Sequence, residues 1–275
     1  FVQPFDFAKG PLMRIATVSR EQGRTLLLFD IHHIICDGTS MKILVDELLQ
    51  LYQGETLAPR TIHYKDYSEW MRQRSLEEQR LYWTKEFEGE IPVLELPYDY
   101  TRPKQQSFKG NTLCMAFDES LVNEVVKVAK ETETTEYMVL LSGVSILLHK
   151  YSLQDDIVVG CPVSGRVHKD TEDMLGMFVN TLAMRSQPEG CKQYSEYLQE
   201  VKEKCLRAFE HQEYPFEELV DEIVTSRDIS RNPLFSVMFT FQNNETISME
   251  KKYVLLGETY KNDKYVTSSV GACSN

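Results

Sequence analysis

An α/β fold in two lobes is expected for this chain, on three observations. Short apolar runs bounded by turn residues alternate along the sequence with stretches of helical periodicity. Good helix N-caps (Thr39, Ser40, Asp118, Thr135) stand where the helical stretches begin. The pattern then dissolves over residues 89–110, where Pro92, Pro97, Asp99, Pro103 and Lys104 read as a linker. The lobes are accordingly placed at residues 1–96 and 97–275.

The elements follow in order. Gly10-Pro11 makes a turn, Met13 to Val18 reads as a strand, and Gly23 closes a hairpin-like turn before the apolar run Thr25-Leu26-Leu27-Leu28-Phe29. Met41, Leu44, Val45, Leu48 and Tyr52 predict a helix over 40–52, stopped at Gln53-Gly54. A second helix is expected from Tyr64 to Phe87, with Tyr67, Trp70, Met71, Leu81, Tyr82 and Trp83 as its apolar face. Past the linker, Thr112 to Phe117 reads as a strand. Asp118 caps a helix with Leu121, Val122, Val125 and Ala129 inward, and Thr135 opens a helix apolar almost all round, so centrally buried. Strands at Asp156–Gly160 and Phe178–Arg185, an amphipathic helix at Tyr194–Phe209, a short helix after Pro215 and a strand at Leu234–Phe241 complete the pattern. The stretch Thr267–Asn275 reads as a disordered tail.

Composition narrows the function. A net charge of −12 leaves no basic excess to neutralise phosphates, which argues against general nucleic-acid binding. No apolar run reaches membrane-spanning length, and no signal peptide is read at the start, so a cytoplasmic protein is expected. The 6 cysteines fit no zinc or thioredoxin spacing and read as reduced thiols.

The chemistry is concentrated at Ile31-His32-His33-Ile34-Ile35-Cys36-Asp37-Gly38. Strand alternation puts His33 on one face with Ile31 and Phe29, and His32 on the other with Asp30. Histidine suits proton transfer near neutral pH, and the helix N-terminus that follows favours developing negative charge. Opposite strand faces are poor chelating geometry, and no metal is expected. Cys36 is not expected to act as a nucleophile. An isolated His-His pair is also compatible with two structural histidines.

Further blocks decide between these. Tyr64-Lys65-Asp66-Tyr67-Ser68-Glu69-Trp70, Gly176-Met177-Phe178-Val179-Asn180-Thr181, His211-Gln212-Glu213-Tyr214-Pro215-Phe216-Glu217 and Arg227-Asp228-Ile229-Ser230-Arg231-Asn232-Pro233-Leu234 follow in order. With His32-His33-Ile34-Ile35-Cys36-Asp37-Gly38 they resemble the HHxxxDG, YxDxxxW, GxFVNTxxxR, HQxxPFE and RDxSRNPL blocks of nonribosomal peptide synthetase condensation domains. The resemblance covers most of the chain. The family's SxAQxR and RHExLR blocks are not found, and Glu245 to Asn275 is short, so a domain shortened at both ends is expected.

The resemblance implies a two-lobed fold like chloramphenicol acetyltransferase, with mixed sheets flanked by helices, an incomplete N-terminal lobe and a site between the lobes. It implies amide-bond formation between a donor thioester and an acceptor aminoacyl thioester, both on carrier proteins. His33 stands at the family's catalytic position, as base or as positioning group. His32 and Asp37 are implied to be structural, and Arg166, in Gly160-Cys161-Pro162-Val163-Ser164-Gly165-Arg166, to pair with Asp37. Gly38 is expected to allow close backbone approach and to offer its N–H to an oxyanion, and Asn180 to lie near the channel. The 4′-phosphopantetheine arms belong to the partner peptidyl carrier proteins, with no cofactor bound directly and an adenylation domain adjacent. A coenzyme A-dependent acyltransferase and a non-catalytic lobe that docks carrier proteins are the alternatives.

Overall fold

The computed structural model describes residues 1–19, 25–107, 109–225 and 228–242. The turn expected at Gly23, Arg227 and the tail expected at Thr267–Asn275 lie outside these. The chain divides into two compact units, and the division is discontinuous. The first comprises Phe1–Arg74 with Ser164–Val179, and the second Ser75–Val163 with the residues from Asn180 onward. The division expected at residue 96 falls inside the second unit, because residues 91–96 pack there: Leu94 is buried with the second unit's core, with Ile91 and Leu96 against it.

In the first unit, β1 (Met13–Ser19) pairs antiparallel with β2 (Thr25–Ile31). The helix α1 (Gly38–Tyr52) starts earlier than expected. Its cap is Asp37, whose carboxylate accepts from Ser40 N–H at 2.8 Å, in place of Thr39 or Ser40. The helix expected over 64–87 is two helices, α2 (Tyr64–Gln73) and α3 (Glu77–Glu86). Arg74 turns extended (ψ 144°) between them, and Glu77 and Glu78 place negative charge on the N-terminal turn of α3. The break coincides with the boundary between the units, which assigns α3 to the second.

The second unit holds the large apolar core. Its β3 (Ile157–Val163) pairs antiparallel with β4 (Asn180–Ser186), with Gly160 opposite Ala183. Around the pair lie α4 (Glu119–Glu131), α5 (Glu136–Ser152), α6 (Tyr194–Glu210) and α7 (Phe216–Ile223). Ile157, Val159, Cys161, Leu182, Leu198 and Cys205 are fully buried. Two caps are as the sequence suggests: Asp118 accepts from Leu121 N–H at 2.7 Å, and Thr135 from Met138 N–H at 3.3 Å. Other expectations need correcting. Leu121 and Val122 of α4 are exposed, and α5 buries one side only, leaving Leu147 and Tyr151 in solvent. Thr112–Phe117 finds no partner strand among the described residues, and Leu113, Met115 and Phe117 are 97%, 87% and 64% exposed. A strand pattern without a ladder to join does not make a strand.

Leu234–Phe241 joins β3 through one parallel bridge, at Gly160 and Met238. Gly160 N–H donates to Val237 O (3.0 Å), and Phe239 N–H donates to Gly160 O (2.8 Å). Here the strand must be glycine: a Cβ on Gly160 would stand 2.5 Å from the ring of Phe235, which is itself buried. Gly160→Ala should therefore destabilise the second unit by about 1–3 kcal/mol, read as a lowered urea midpoint. A midpoint equal to the parent's would show that Phe235 can yield without loss.

Candidate active site

The two histidines lie beyond the strand. The ladder ends at the pair Met13 and Ile31, and one more bond follows it, from His32 N–H to Leu12 O at 3.0 Å. His32 then caps a 3-10 turn, His33–Ile35, its ring Nδ1 accepting from Ile34 N–H at 3.1 Å. The strand-face assignment of the histidines is thereby corrected. Asp30 does not serve His32 either, since its carboxylate takes Arg14 Nη1 across the hairpin at 2.7 Å. The His32 ring meets the rings of Phe7 and Phe5 edge-on, with centroids 4.7 and 5.9 Å away. His33 is half-buried, and its imidazole has no hydrogen-bond partner among the described residues.

Asp37 sits at the centre of the first unit, its side chain 1% exposed. One carboxylate oxygen accepts from Ser40 N–H and from Arg166 Nη2 at 2.9 Å; the other accepts from Phe178 N–H at 3.1 Å. Arg166, 5% exposed, is correspondingly full. Nη2 also donates to Ser40 Oγ (2.9 Å), Nη1 donates to Thr171 O and to Met174 O (2.7 Å), and the guanidinium lies 4.2 Å from the Phe178 ring centroid. Its Nε–H alone is left without an acceptor, over that aromatic face. Burial would raise the Asp37 carboxyl, but the Ser40 backbone and hydroxyl, the Phe178 N–H and Arg166 together outweigh it and hold the pKa below 3.8. The neighbouring Cys36 thiol is pushed up to about 11, by burial first and then by the Asp37 charge, so it stays neutral.

Residues the sequence reading passed over complete this knot. Ser40 is fully buried; its Oγ donates to Gly176 O (2.9 Å) and accepts from Gly176 N–H (3.0 Å). Tyr64 donates its hydroxyl to Met177 O at 2.7 Å, its phenol pushed up by burial and the Asp37 charge. Gly165 has φ +64°, and a Cβ there would lie 1.9 Å from Phe178 O. The signal for Tyr64 and Gly176 was their place in the motif blocks. Ser40 carried only a capping preference.

The structure also gives the surroundings of Gly38 and Asn180. A Cβ on Gly38 would meet no protein atom within 4 Å, so the protein backbone makes no close approach there. Its N–H, at the start of α1, takes no acceptor among the described residues. Asn180 belongs to the second unit, where its side chain is fully engaged. Nδ2 donates to Gln212 O (2.8 Å) and Tyr214 O (2.7 Å), and Oδ1 accepts from Thr181 N–H (2.9 Å) and Phe216 N–H (3.1 Å). It is a clamp for the loop 212–216, with no capacity left for a substrate. Among the described residues no cluster of His, Cys, Asp or Glu side chains could hold a metal ion, and no helix is long and apolar enough to cross a membrane.

The Asp37–Arg166 pair has a defined pH signature. A carboxyl lowered on folding contributes stability that is present above its unfolded pKa, 3.8, and is lost as pH falls through the lower folded value. Asp37→Asn leaves Arg166 buried with no charge partner and should cost about 3–5 kcal/mol at pH 7. The gap to the parent should narrow below pH 3.8. Urea midpoints of both proteins across this range check it; a gap independent of pH would show that the carboxyl is not held low.

Comparison with known proteins bears directly on this arrangement. The family model described as "Condensation domain" matches residues 1–267. The chain is 48% identical over 247 residues to gramicidin S synthase 2 of Brevibacillus brevis, covering 88% of this chain and 6% of that protein. It is 46% identical over 254 residues to bacitracin synthase 3 of Bacillus licheniformis, covering 91% of this chain and 4% of that protein. The chain thus spans a small fraction of the length of the curated relatives it matches. Among solved structures, a four-domain nonribosomal peptide synthetase bound to AMP and glycine superposes with a TM-score of 0.80 at 29% identity, over 88% of this chain and 19% of that one. The X-domain from teicoplanin biosynthesis shares the fold, with a TM-score of 0.78 at 22% identity over 86% of this chain and 56% of that one. The α/β architecture is that of these domains, and the chain belongs to the condensation domain family of nonribosomal peptide synthetases.

Proposed function

We propose that this chain forms an amide bond between a donor acyl thioester and an acceptor aminoacyl thioester, each carried on a peptidyl carrier protein. The acceptor's amine nitrogen attacks the donor carbonyl, a tetrahedral oxyanion forms, and its collapse expels the donor's thiolate as the amine proton departs. The arms are 4′-phosphopantetheine groups that belong to the carriers, so no cofactor is bound directly. An adenylation domain is the neighbouring partner in this reading. Cytoplasm is the compartment, where Cys36, Cys114, Cys161, Cys191 and Cys205 stay free.

One observation carries the reading. The half-buried His33 imidazole is left without a hydrogen-bond partner among the described residues. An imidazole so placed can accept the proton of the attacking amine or hold the amine in line by accepting its hydrogen bond. The exposed Gly38 N–H, at the positive end of α1, is the group offered to the oxyanion. His32, Asp37 and Arg166 hold the turn and the start of α1 in place. Cys36 as a neutral thiol offers no nucleophile to compete.

Intact-protein mass spectrometry of the acceptor carrier, after mixing with a loaded donor carrier and this protein, reads the reaction. A dipeptidyl mass should accumulate with the parent and form about 10²–10⁴-fold more slowly with His33→Ala. Product formation indifferent to His33→Ala would overturn the role of His33. Carrier binding without product in either protein would leave a docking lobe in place of a catalyst.

A further inference from the structure

We propose that Arg14 is a positioning residue for the histidine turn, acting through the N-terminal segment Gln3–Phe7. The inference rests on the reading of His33 above. Arg14 stands opposite Asp30 in the hairpin register, and the pair they form would serve any hairpin. The rest of the guanidinium does something else. Nη1 also donates to Gln3 O at 2.7 Å, Nη2 donates to Pro4 O at 3.1 Å, and the group lies 3.9 Å from the Phe5 ring centroid. These contacts tie to β1 a stretch that belongs to no helix or strand.

What the stretch delivers is two rings to one histidine. Phe5 and Phe7 both meet the His32 ring at interplanar angles of 89°. A turn behind Phe7 keeps it there: Asp6 accepts from Ala8 N–H through its side chain and from Lys9 N–H through its carbonyl, both at 3.0 Å. Phe7 is 63% exposed, so core burial does not account for its placement. His32 in turn caps the 3-10 turn through Nδ1, which as an acceptor puts the neutral ring's proton on Nε2. The cap fixes the backbone from which His33 projects. A chain of contacts therefore runs from Arg14 through Phe5 and Phe7 to His32, and from His32 to the turn of His33.

The test uses the intact protein with Arg14→Ala, Arg14→Lys and Phe7→Ala, the last keeping the whole Arg14 network. Imidazole 15N signals and the rate of dipeptidyl product are both read. The parent should show His32 as a single Nε2–H tautomer. Phe7→Ala and Arg14→Ala should average the two tautomers and lower kcat by about 10- to 100-fold, with KM for the loaded carriers unchanged. Lysine keeps a charge for Asp30 but lacks the fork that reaches Gln3 and Pro4, so Arg14→Lys should fall with Arg14→Ala. Unchanged His32 signals in Phe7→Ala, or full rescue by Arg14→Lys, would overturn the proposal. An inactive parent whose His32 signals still respond to Phe7→Ala would overturn the catalytic reading and leave the positioning chain standing.

Discussion

The first unit depends on one buried ion pair. A carboxylate and a guanidinium this deeply buried are strongly unfavourable unless they are paired with each other and hydrogen-bonded by their surroundings. Asp37 and Arg166 meet that demand by recruiting the backbone of residues far apart in the chain: Phe178, Thr171 and Met174, with Ser40 bridging to Gly176. The unit has few large buried apolar residues, Val45, Met174 and Phe178 among them, so specificity of this kind takes the place of a broad oily core. The segment 164–179 belongs to this unit because its carbonyls and amides are the acceptors and donors that the pair requires.

The second unit is built on the opposite principle. Its centre is mainly apolar, from Ile157 and Val159 through Leu182 and Cys205, and its charged side chains work at the rim. Arg185 there ties Asp156 to the carbonyls of Glu86 and Glu90, and Trp83 donates Nε1–H to His211 O at 2.9 Å. The His211 ring stacks on Tyr82 with centroids 4.2 Å apart. Asn180 spends all its amide capacity on the loop that follows. The motif blocks of both units are thus mostly scaffold. Side chains that look reactive in the sequence are saturated by neighbours, which is what makes an unsaturated one informative.

That contrast gives the histidine turn its meaning. Of the two adjacent imidazoles, His32 is used up by a backbone N–H on one side and by two phenylalanine rings around it, while His33 is not. The role proposed for His33 needs a free acceptor on a fixed mount, and the cap made by the adjacent His32 fits that need. The mount is anchored from two directions, by Asp37 at the start of α1 and by the N-terminal segment at the end of β2.

Much of this was legible in the sequence. Local signals sufficed for most helices, since capping residues such as Asp118 and Thr135 and an apolar periodicity act within a few residues of themselves. The ordered motif blocks sufficed for the family, and through it for the partnership of Asp37 with Arg166. What only the tertiary structure decided was every question whose answer lies across the chain. The alternation rule ran the histidines on along β2 because nothing local says that the ladder with β1 ends at Met13 and that the chain turns at His33. Asn180 could be placed on a strand but not denied to a substrate, because the carbonyls that consume its amide come from residues 212 and 214. Ser40 read as a cap because its true partners, Gly176 and Arg166, lie more than a hundred residues away. Propensity and periodicity are short-range, whereas hydrogen-bond saturation of a buried group is set by whatever the fold brings within about 3 Å of it.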